Sequence, residues 1–164
     1  MFSGTAPIAT NKLELYGELR SQLAALLEGE SDRIANAANT VALLYHFIPD
    51  VNWVGFYFLR GSDLVLGPFQ GKPACVRIPL GKGVCGAAAE RLESILVPDV
   101  NAFPGHIACD SGSRSELVVP LVKHGELWGV LDLDSPVLER FDQADRAGCE
   151  SLAAIYMDSF KENG

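Results

Sequence analysis

The apolar residues of this 164-residue chain change their spacing once, close to Pro49. Before that point leucines recur at helical spacing over residues 15–27, and a second apolar helical face runs over residues 34–48. After it, residues 52–60 are rich in aromatic and β-branched side chains with the two-residue period of a strand. The pattern predicts two N-terminal helices that cover a sheet formed by later residues.

Capping signals predict where these two helices begin. Asn11 stands three residues before Glu14, as in a capping box, and Gly29 follows the last leucine of the first pattern. Ser31 is expected to cap the second helix, which Pro49 ends. The apolar face predicted for that helix consists of Ile34, Ala38, Val41, Tyr45 and Ile48.

The remaining elements predict an α+β sheet. Further strands are expected at residues 64–70, 75–81, 94–99, 116–122 and 126–134, with helices at 82–92 and 142–160. Strands linked as hairpins, with helices at both chain ends, favour an antiparallel sheet with those helices on one face. A single domain over residues 1–164 is expected, with residues 1–10 as a poorly ordered tail.

The charge and the start of the chain disfavour several partners and locations. A net charge of −8 disfavours binding to nucleic acid or to an anionic membrane surface, because both require basic patches. No signal-peptide pattern and no long apolar run is found. We therefore expect a cytoplasmic protein whose four cysteines are reduced at rest.

Residues 81–86, GKGVCG, match the G-x-G-x-x-G fingerprint of dinucleotide sites. That fingerprint also needs a parallel βαβ unit and an acidic residue about 20 positions later. Position 103 is Phe, and the neighbouring strands are expected to be antiparallel. The glycines are better explained by a tight turn into a helix.

The last hairpin of the sheet can be aligned from its sequence. A two-residue turn at 124–125 would place Glu116 opposite Leu133 and mix acidic with apolar positions. A three-residue loop, 123–125, places Glu116 opposite Asp132 and is the preferred prediction. One face then carries Glu116, Val118, Trp128, Val130, Asp132 and Asp134, and the other carries Leu117, Val119, Leu121, Leu127, Leu131 and Leu133.

The three carboxylates on this face have two interpretations. The face is either solvated surface, or it is covered by the long loop of residues 99–114. If the loop covers it, desolvation and mutual repulsion keep at least one carboxyl protonated near neutral pH. Such a group is a candidate general acid.

The cysteines permit more than one chemistry. Cys85 is expected at a helix N-terminus, where the partial positive charge favours a thiolate. His106, Cys109, Cys75 and Cys85 offer donors for zinc, although the spacing lacks the C-x-x-C of structural zinc sites. Cys149 lies on the apolar face of the last helix and is expected to be inert core.

Three segments carry a resemblance to a known family: PACVRIPLGKGVCG (73–86), HIACDSGSRSELVVPL (106–121) and ELWGVLDLDSP (126–136). The order of elements resembles a GAF domain, and these segments resemble the free methionine-(R)-sulfoxide reductases, a stand-alone GAF family. The resemblance covers roughly residues 11–160. It implies a central antiparallel six-stranded sheet, with the N- and C-terminal helices on one face and a small ligand pocket on the other.

The resemblance also implies roles for individual residues. Cys109 would be the nucleophile, Cys75 the main resolving thiol and Cys85 an auxiliary cysteine. The pocket carboxylates would be Glu116, Asp132 and Asp134, with Asp134 as the proton donor and Glu116 assisting. Trp53 and Tyr57 would form the wall around the methyl group of the substrate, although strand aromatics are more often ordinary core.

The implied reaction is the reduction of free methionine (R)-sulfoxide by thiols. Attack of Cys109 on sulfur leaves a sulfenic acid, Cys75 converts it to a disulfide, and an external dithiol such as thioredoxin restores the thiols. No resident cofactor or metal is expected, and a homodimer is expected by analogy with other GAF domains. The alternative is a GAF module that senses a small ligand or redox state without turnover.

Overall fold

Six strands form one antiparallel sheet in the computed structural model, which describes residues 7–107 and 111–160. The strands are β1 (Trp53–Arg60), β2 (Asp63–Gly71), β3 (Arg77–Pro79), β4 (Ile95–Val97), β5 (Ser115–Lys123) and β6 (Glu126–Ser135). Their order is β3-β2-β1-β6-β5-β4, and every pair of neighbours is antiparallel. The predicted sheet is confirmed. Most of the tail predicted at residues 1–10 lies outside the described part of the chain.

Four α-helices lie on this sheet within the described residues. They are α1 (Lys12–Leu27), α2 (Arg33–Phe47), α3 (Gly83–Arg91) and α4 (Gln143–Asp158). The side chain of Asn11 accepts a hydrogen bond from the N–H of Glu14, so the predicted cap of α1 is confirmed. A short 3₁₀ helix, Val100–Ala102, begins the long loop before β5. None of the described helices combines the length and the apolar character needed to cross a membrane.

The start and the inner face of α2 differ from the prediction. Asp32, and not Ser31, is the cap, because its carboxylate accepts from two backbone N–H groups of the first turn. Ile34 and Tyr45 are 53% and 38% exposed. The helix buries Asn36 instead, whose side-chain amide donates to the Glu30 carbonyl and to the Ser159 hydroxyl. Val41 and Ile48 of the predicted face are buried, but the rest of that face is rotated toward Ala37 and Leu44.

The two faces of the sheet are covered differently. Helices α1, α2 and α4 pack on one face, around fully buried side chains such as Leu23, Leu44 and Leu133. Each leucine removed from water in this way contributes roughly 2 kcal/mol. The short helix α3 covers the opposite face, where Val84 and Ala88 pack against strand side chains. The predicted placement of the terminal helices on one face is confirmed.

The register predicted for the β5–β6 hairpin is wrong by two residues. Glu116 lies opposite Asp134, and Val118 lies opposite Asp132. The turn has two residues, His124 and Gly125, whose φ angles of 52° and 80° match the type I′ turn that suits twisted strands. This turn alone would place acidic positions of one strand opposite apolar positions of the other.

A β-bulge at Trp128 shifts the pairing by one residue and so brings the carboxylates of both strands to the same face of the sheet. Leu121 pairs with Gly129 and Val122 pairs with Leu127, so Trp128 is the extra residue of β6. The bulge turns Trp128 to the helix side, where its ring lies 5.8 Å from that of Phe160. The prediction that Trp128 shares a face with the carboxylates is therefore wrong, while the shared face of the three carboxylates is kept.

The glycines at 81–86 serve the turn into α3. Gly81 and Gly83 have φ angles of 77° and 60°, in the left-handed region that favours glycine. A Cβ on Gly86 would lie 2.5 Å from the carbonyl oxygen of Pro79. Close approach of helix and strand explains the pattern, and the antiparallel strands around it exclude a dinucleotide-type βαβ unit.

Candidate active site

A small pocket lies between α3 and the sheet face opposite the long helices. The space open to the centre of a water molecule measures about 40 Å³, which is room for a few waters. All the residues predicted to bind substrate line it, together with Cys85, His106 and Ser113; they are Trp53, Tyr57, Glu116, Asp132 and Asp134. The interpretation of the carboxylates as solvated surface is therefore wrong for the two that are buried, Glu116 and Asp132.

Two aromatic side chains of β1 form one wall. Trp53 and Tyr57 are four residues apart on one strand and therefore point to the same side. Their rings stack with centroids 5.9 Å apart, and Trp53 also stacks on Phe69 of β2. Both are almost fully buried, so the wall is rigid and apolar on the side that faces the carboxylates.

The floor of the pocket consists of buried carboxyl groups. Glu116 and Asp132 are only 5% and 6% exposed. Burial raises the pKa of Glu116 well above its ordinary value, and the charge of Asp134 raises it further. Burial and the charge of Glu116 do the same to the pKa of Asp132. The environment of the cluster therefore favours the protonated forms of both carboxyl groups.

The floor is short of hydrogen-bond donors. His106 is the basic side chain found nearest to Glu116 in the described ranges, with Nε2 3.7 Å from Oε2, and burial lowers its pKa. His106 is thus neutral at pH 7 and contributes no full positive charge. The buried Oδ1 of Asp132 has no hydrogen-bond partner among residues 7–107 and 111–160. A ligand with a cationic N–H group would supply what the protein does not.

Cys85 projects into this acidic floor from the first turn of α3. Its thiol donates to Oε1 of Glu116 over a sulfur–oxygen distance of 4.0 Å. Burial and the charges of Asp132, Glu116 and Asp134 raise the pKa of the Cys85 thiol well above its usual value. The expectation that the helix N-terminus favours a thiolate is therefore wrong, because desolvation and repulsion outweigh the helix dipole.

The other cysteines differ in whether the sulfur is a free thiol or part of a disulfide. Cys75 is half-buried and disulfide-bonded, whereas Cys85 and Cys149 are free thiols. Cys109, predicted to be the nucleophile, lies outside the described residues. Cys149 is fully buried in the core beneath the long helices, as predicted, and burial raises its pKa to about 12.

Metal binding was the alternative use of these donors. Cys75 belongs to a disulfide and so offers no free thiolate to the predicted zinc set in this state. The donor atoms of Cys85, Glu116 and Asp132 lie within 4.8 Å of one another. The raised pKa values of all three groups favour their protonated forms, which are poor metal ligands, so we assign no metal to the cluster.

Comparisons with known proteins agree with this pocket. The GAF domain model matches residues 22–156. The free methionine-R-sulfoxide reductase of Escherichia coli is 52% identical over 144 residues, covering 88% of this chain and 87% of that protein. The Saccharomyces cerevisiae enzyme of the same name is 43% identical over 153 residues, covering 88% and 85%. This chain belongs to the free methionine-R-sulfoxide reductase family of GAF domains.

A solved structure extends the agreement to the whole fold of the reductase family. The free methionine-R-sulfoxide reductase of Neisseria meningitidis, solved in complex with its substrate, superposes with a TM-score of 0.93 at 44% identity. The match covers 98% of this chain and 96% of that one. The resemblance inferred from the sequence, in both family and fold, is confirmed.

Some pocket residues of this reductase escaped the sequence analysis. Ser113 is buried at the pocket, and the carbonyl groups of Lys72 and Cys75 each accept a hydrogen bond from an aromatic side chain of the wall. The run of small polar residues before β5 is the sequence signal that could have indicated Ser113. No sequence signal indicates which backbone carbonyls a strand residue reaches.

Proposed function

We propose that this chain reduces free methionine (R)-sulfoxide to methionine, with Cys109 as the nucleophile and Cys75 as the resolving thiol. The observation that carries the proposal is a cluster of buried carboxyl groups, with raised pKa values, in a pocket next to the loop of the disulfide-bonded Cys75. Reductases that share the fold at 44–52% identity bear this activity in their names.

The first step needs an acid and a thiolate. A sulfoxide sulfur accepts a nucleophile only when its oxygen is protonated or strongly hydrogen-bonded. The resemblance implied Asp134 as the proton donor with Glu116 assisting; we assign the donor role to Glu116 instead, because Glu116 is the more buried of the two and its raised pKa favours the protonated form that delivers a proton to that oxygen. The Cys109 thiolate attacks the sulfoxide sulfur, and the protonated oxygen passes from that sulfur to the Cys109 sulfur. The substrate S–O bond breaks as the new S–O bond forms, so methionine leaves reduced by two electrons and Cys109 is left as a sulfenic acid. The half-exposed Asp134, directly opposite Glu116, assists by keeping the pKa of Glu116 high.

The second step restores the enzyme. The Cys75 thiol displaces hydroxide from the sulfenic sulfur, which forms a disulfide and releases water after proton transfer. An external dithiol, for which thioredoxin is the candidate, then reduces this disulfide by exchange. Cys85 has a raised pKa and no disulfide, so we assign it a secondary part in these exchanges.

The pocket suits a free amino acid. The unpartnered buried oxygen of Asp132 can accept from the substrate ammonium group. Backbone N–H groups of the loop around Ser113 can bind the substrate carboxylate, since such loops form anion-binding concavities. The methyl group then lies against Trp53 and Tyr57. A peptide lacks both charged groups, so the same contacts exclude protein-bound methionine sulfoxide.

The test gives the protein racemic free methionine sulfoxide together with thioredoxin, thioredoxin reductase and NADPH. With an equal mixture of the R and S epimers at sulfur, we expect repeated turnover that consumes only the R epimer, and no turnover in Cys109→Ser. Cys149→Ser, a matched cysteine variant in the core, should retain activity. NADPH oxidation that stops at one equivalent per chain would contradict the proposal and favour a redox sensor. Full activity in Cys109→Ser would contradict the assigned nucleophile.

A further inference from the structure

The loop that carries Cys75 is hydrogen-bonded at both ends by the aromatic wall of the pocket. We call residues 72–76, which join β2 to β3, the cysteine loop. The indole N–H of Trp53 donates to the carbonyl oxygen of Lys72 at 3.0 Å. The phenol of Tyr57 donates to the carbonyl oxygen of Cys75 at 2.9 Å. Two neighbouring side chains of one strand thus bind the first residue of the loop and its cysteine.

The direction of the second hydrogen bond is fixed by chemistry. A carbonyl oxygen only accepts, so the phenolic hydrogen of Tyr57 must point to Cys75. Burial, followed by the charges around the pocket, raises the pKa of Tyr57, so the phenol keeps this hydrogen. The hydrogen is therefore committed to the backbone and is not available to the sulfoxide oxygen.

The rest of the cysteine loop has little regular support. The residues from 72 to 76 belong to no strand or helix. The carbonyl of Val76 accepts from the N–H of Leu66 at 2.9 Å, just before β3 begins. Ala74 and Cys75 pack against the apolar cluster that contains Trp53 and Tyr57, and the two aromatic hydrogen bonds fix the loop backbone to the central strand β1. Since β1 lies between β2 and β6, it is a rigid reference point for the loop.

We propose that Tyr57 is a positioning residue for the resolving step, because its hydroxyl holds the Cys75 backbone where the thiol meets the sulfenic acid. This inference rests on the proposed function and adds to the role of the Tyr57 ring in the substrate wall. A disulfide forms only within a narrow range of Cα separations, so the position of the Cys75 backbone affects the rate at which the disulfide forms. Loss of one such hydrogen bond should slow closure by roughly 2- to 12-fold.

The test uses Tyr57→Phe, which keeps the ring and its stacking on Trp53 and removes only the hydroxyl. Reduced protein is mixed with one equivalent of hydrogen peroxide, which converts the Cys109 thiolate to sulfenic acid without any methionine sulfoxide. Stopped samples are treated with dimedone, and mass spectrometry counts the trapped sulfenic acid and the disulfide against time. We expect disulfide formation to slow roughly 2- to 12-fold, with a matching rise in trapped sulfenic acid.

The matched control is Tyr156→Phe. Tyr156 is an equally buried tyrosine that donates to a backbone carbonyl, that of Arg33 at 3.2 Å, but on the helix side of the sheet. Its loss should leave the rate of disulfide formation unchanged. Equal rates in Tyr57→Phe, Tyr156→Phe and wild type would overturn the inference, and so would equal slowing in both variants. Because peroxide replaces the substrate, these outcomes are separate from a failure of the proposed reductase activity.

Discussion

The protein buries acidic groups in two places and neutralises them in different ways. Asp145 lies between α1 and α4 with no exposed surface. Its carboxylate is bound by Lys12 and Arg140, and the hydroxyl of Tyr16 donates to Oδ1 at 2.8 Å. Glu116, in the pocket, is nearly as buried. It has other acids, a thiol and a neutral histidine around it.

The difference shows that the surrounding donors, more than burial itself, decide how a buried acid is used. At Asp145 cations and donors satisfy the carboxylate, and the group joins two helices. At Glu116 nothing among the described residues supplies a positive charge, so protons do, and those protons are available for chemistry. Conversion of each acid to its amide isostere should therefore have opposite consequences.

The largest effect is expected for Glu116→Gln on activity. The amide fills the same space but cannot deliver a proton to the sulfoxide oxygen, so kcat/KM should fall about 1000-fold, within the usual range for a general acid. The free energy of unfolding should not decrease, because the substitution removes a desolvated acid. Steady-state kinetics and urea denaturation of the same samples measure both quantities. Retention of more than a tenth of the activity would refute the assigned role of Glu116.

The next largest effect is expected for Asp145→Asn on stability. Arg140, whose side chain is 8% exposed, would lose its anionic partner, and breaking such a buried pair costs about 3 kcal/mol. Urea denaturation should show this loss. The kcat/KM of the folded fraction should stay near that of wild type, because Asp145 lies on the far side of the sheet from the pocket. A stable Asp145→Asn variant would show that the two acidic sites are not as different as their contacts indicate.

A smaller effect is expected in the pH dependence of stability. The pKa of Glu116 is raised in the folded state, so the folded chain keeps a proton that the unfolded chain releases above its usual pKa of 4.5. Glu116 therefore destabilises the fold increasingly as pH rises from 4.5 toward its folded-state pKa.

Stability near the buried Asp145 should respond to pH in the opposite direction, through Asp142, which shares the Lys12 ammonium with Asp145. Hydrogen bonding from Lys12 lowers the pKa of Asp142 to about 2, so its contribution is present above pH 3.8 and is lost as pH falls toward 2. Urea midpoints measured from pH 3 to 8 test both directions. The urea midpoint of Glu116→Gln should exceed that of wild type by a margin that grows with pH. In Asp142→Asn the midpoint should fall less than in wild type as the pH decreases below 3.8. Parallel curves for all three proteins would contradict this account.

Much of the fold follows from local signals in the sequence. The leucine spacing of α1 and its Asn11 cap predicted that helix closely, because propensity, capping and burial all agree there. The register of β5 and β6 could not be predicted in this way. It depends on a bulge at Trp128, which combines a two-residue turn with strands whose acidic residues share one face. Beyond the bulge, from Gly129 to Ser135, the side chains kept their predicted faces, since a shift of two residues does not change the face of a strand residue.

The candidate site was predictable in composition and less so in electrostatics. Alternation placed Trp53 with Tyr57 and brought the three carboxylates to one face, and the pocket contains them all. The state of Cys85 was not predictable, because it depends on charges brought together from β5 and β6. The identity of the two carbonyl groups that accept hydrogen bonds from the aromatic wall depends on the path of the chain after β2. The sequence does not reveal that path.

The strand order has a consequence for how the protein is made. The central pairing joins β1 to β6, and Trp53 lies opposite Asp134. The aromatic wall thus leaves the ribosome long before the acids that it faces, and no short fragment of the chain contains both. Such distant pairings form slowly and late in folding. A nascent chain must protect the apolar residues of β1 until β6 arrives, so the reactive pocket is absent from every nascent chain that has not yet reached the end of β6.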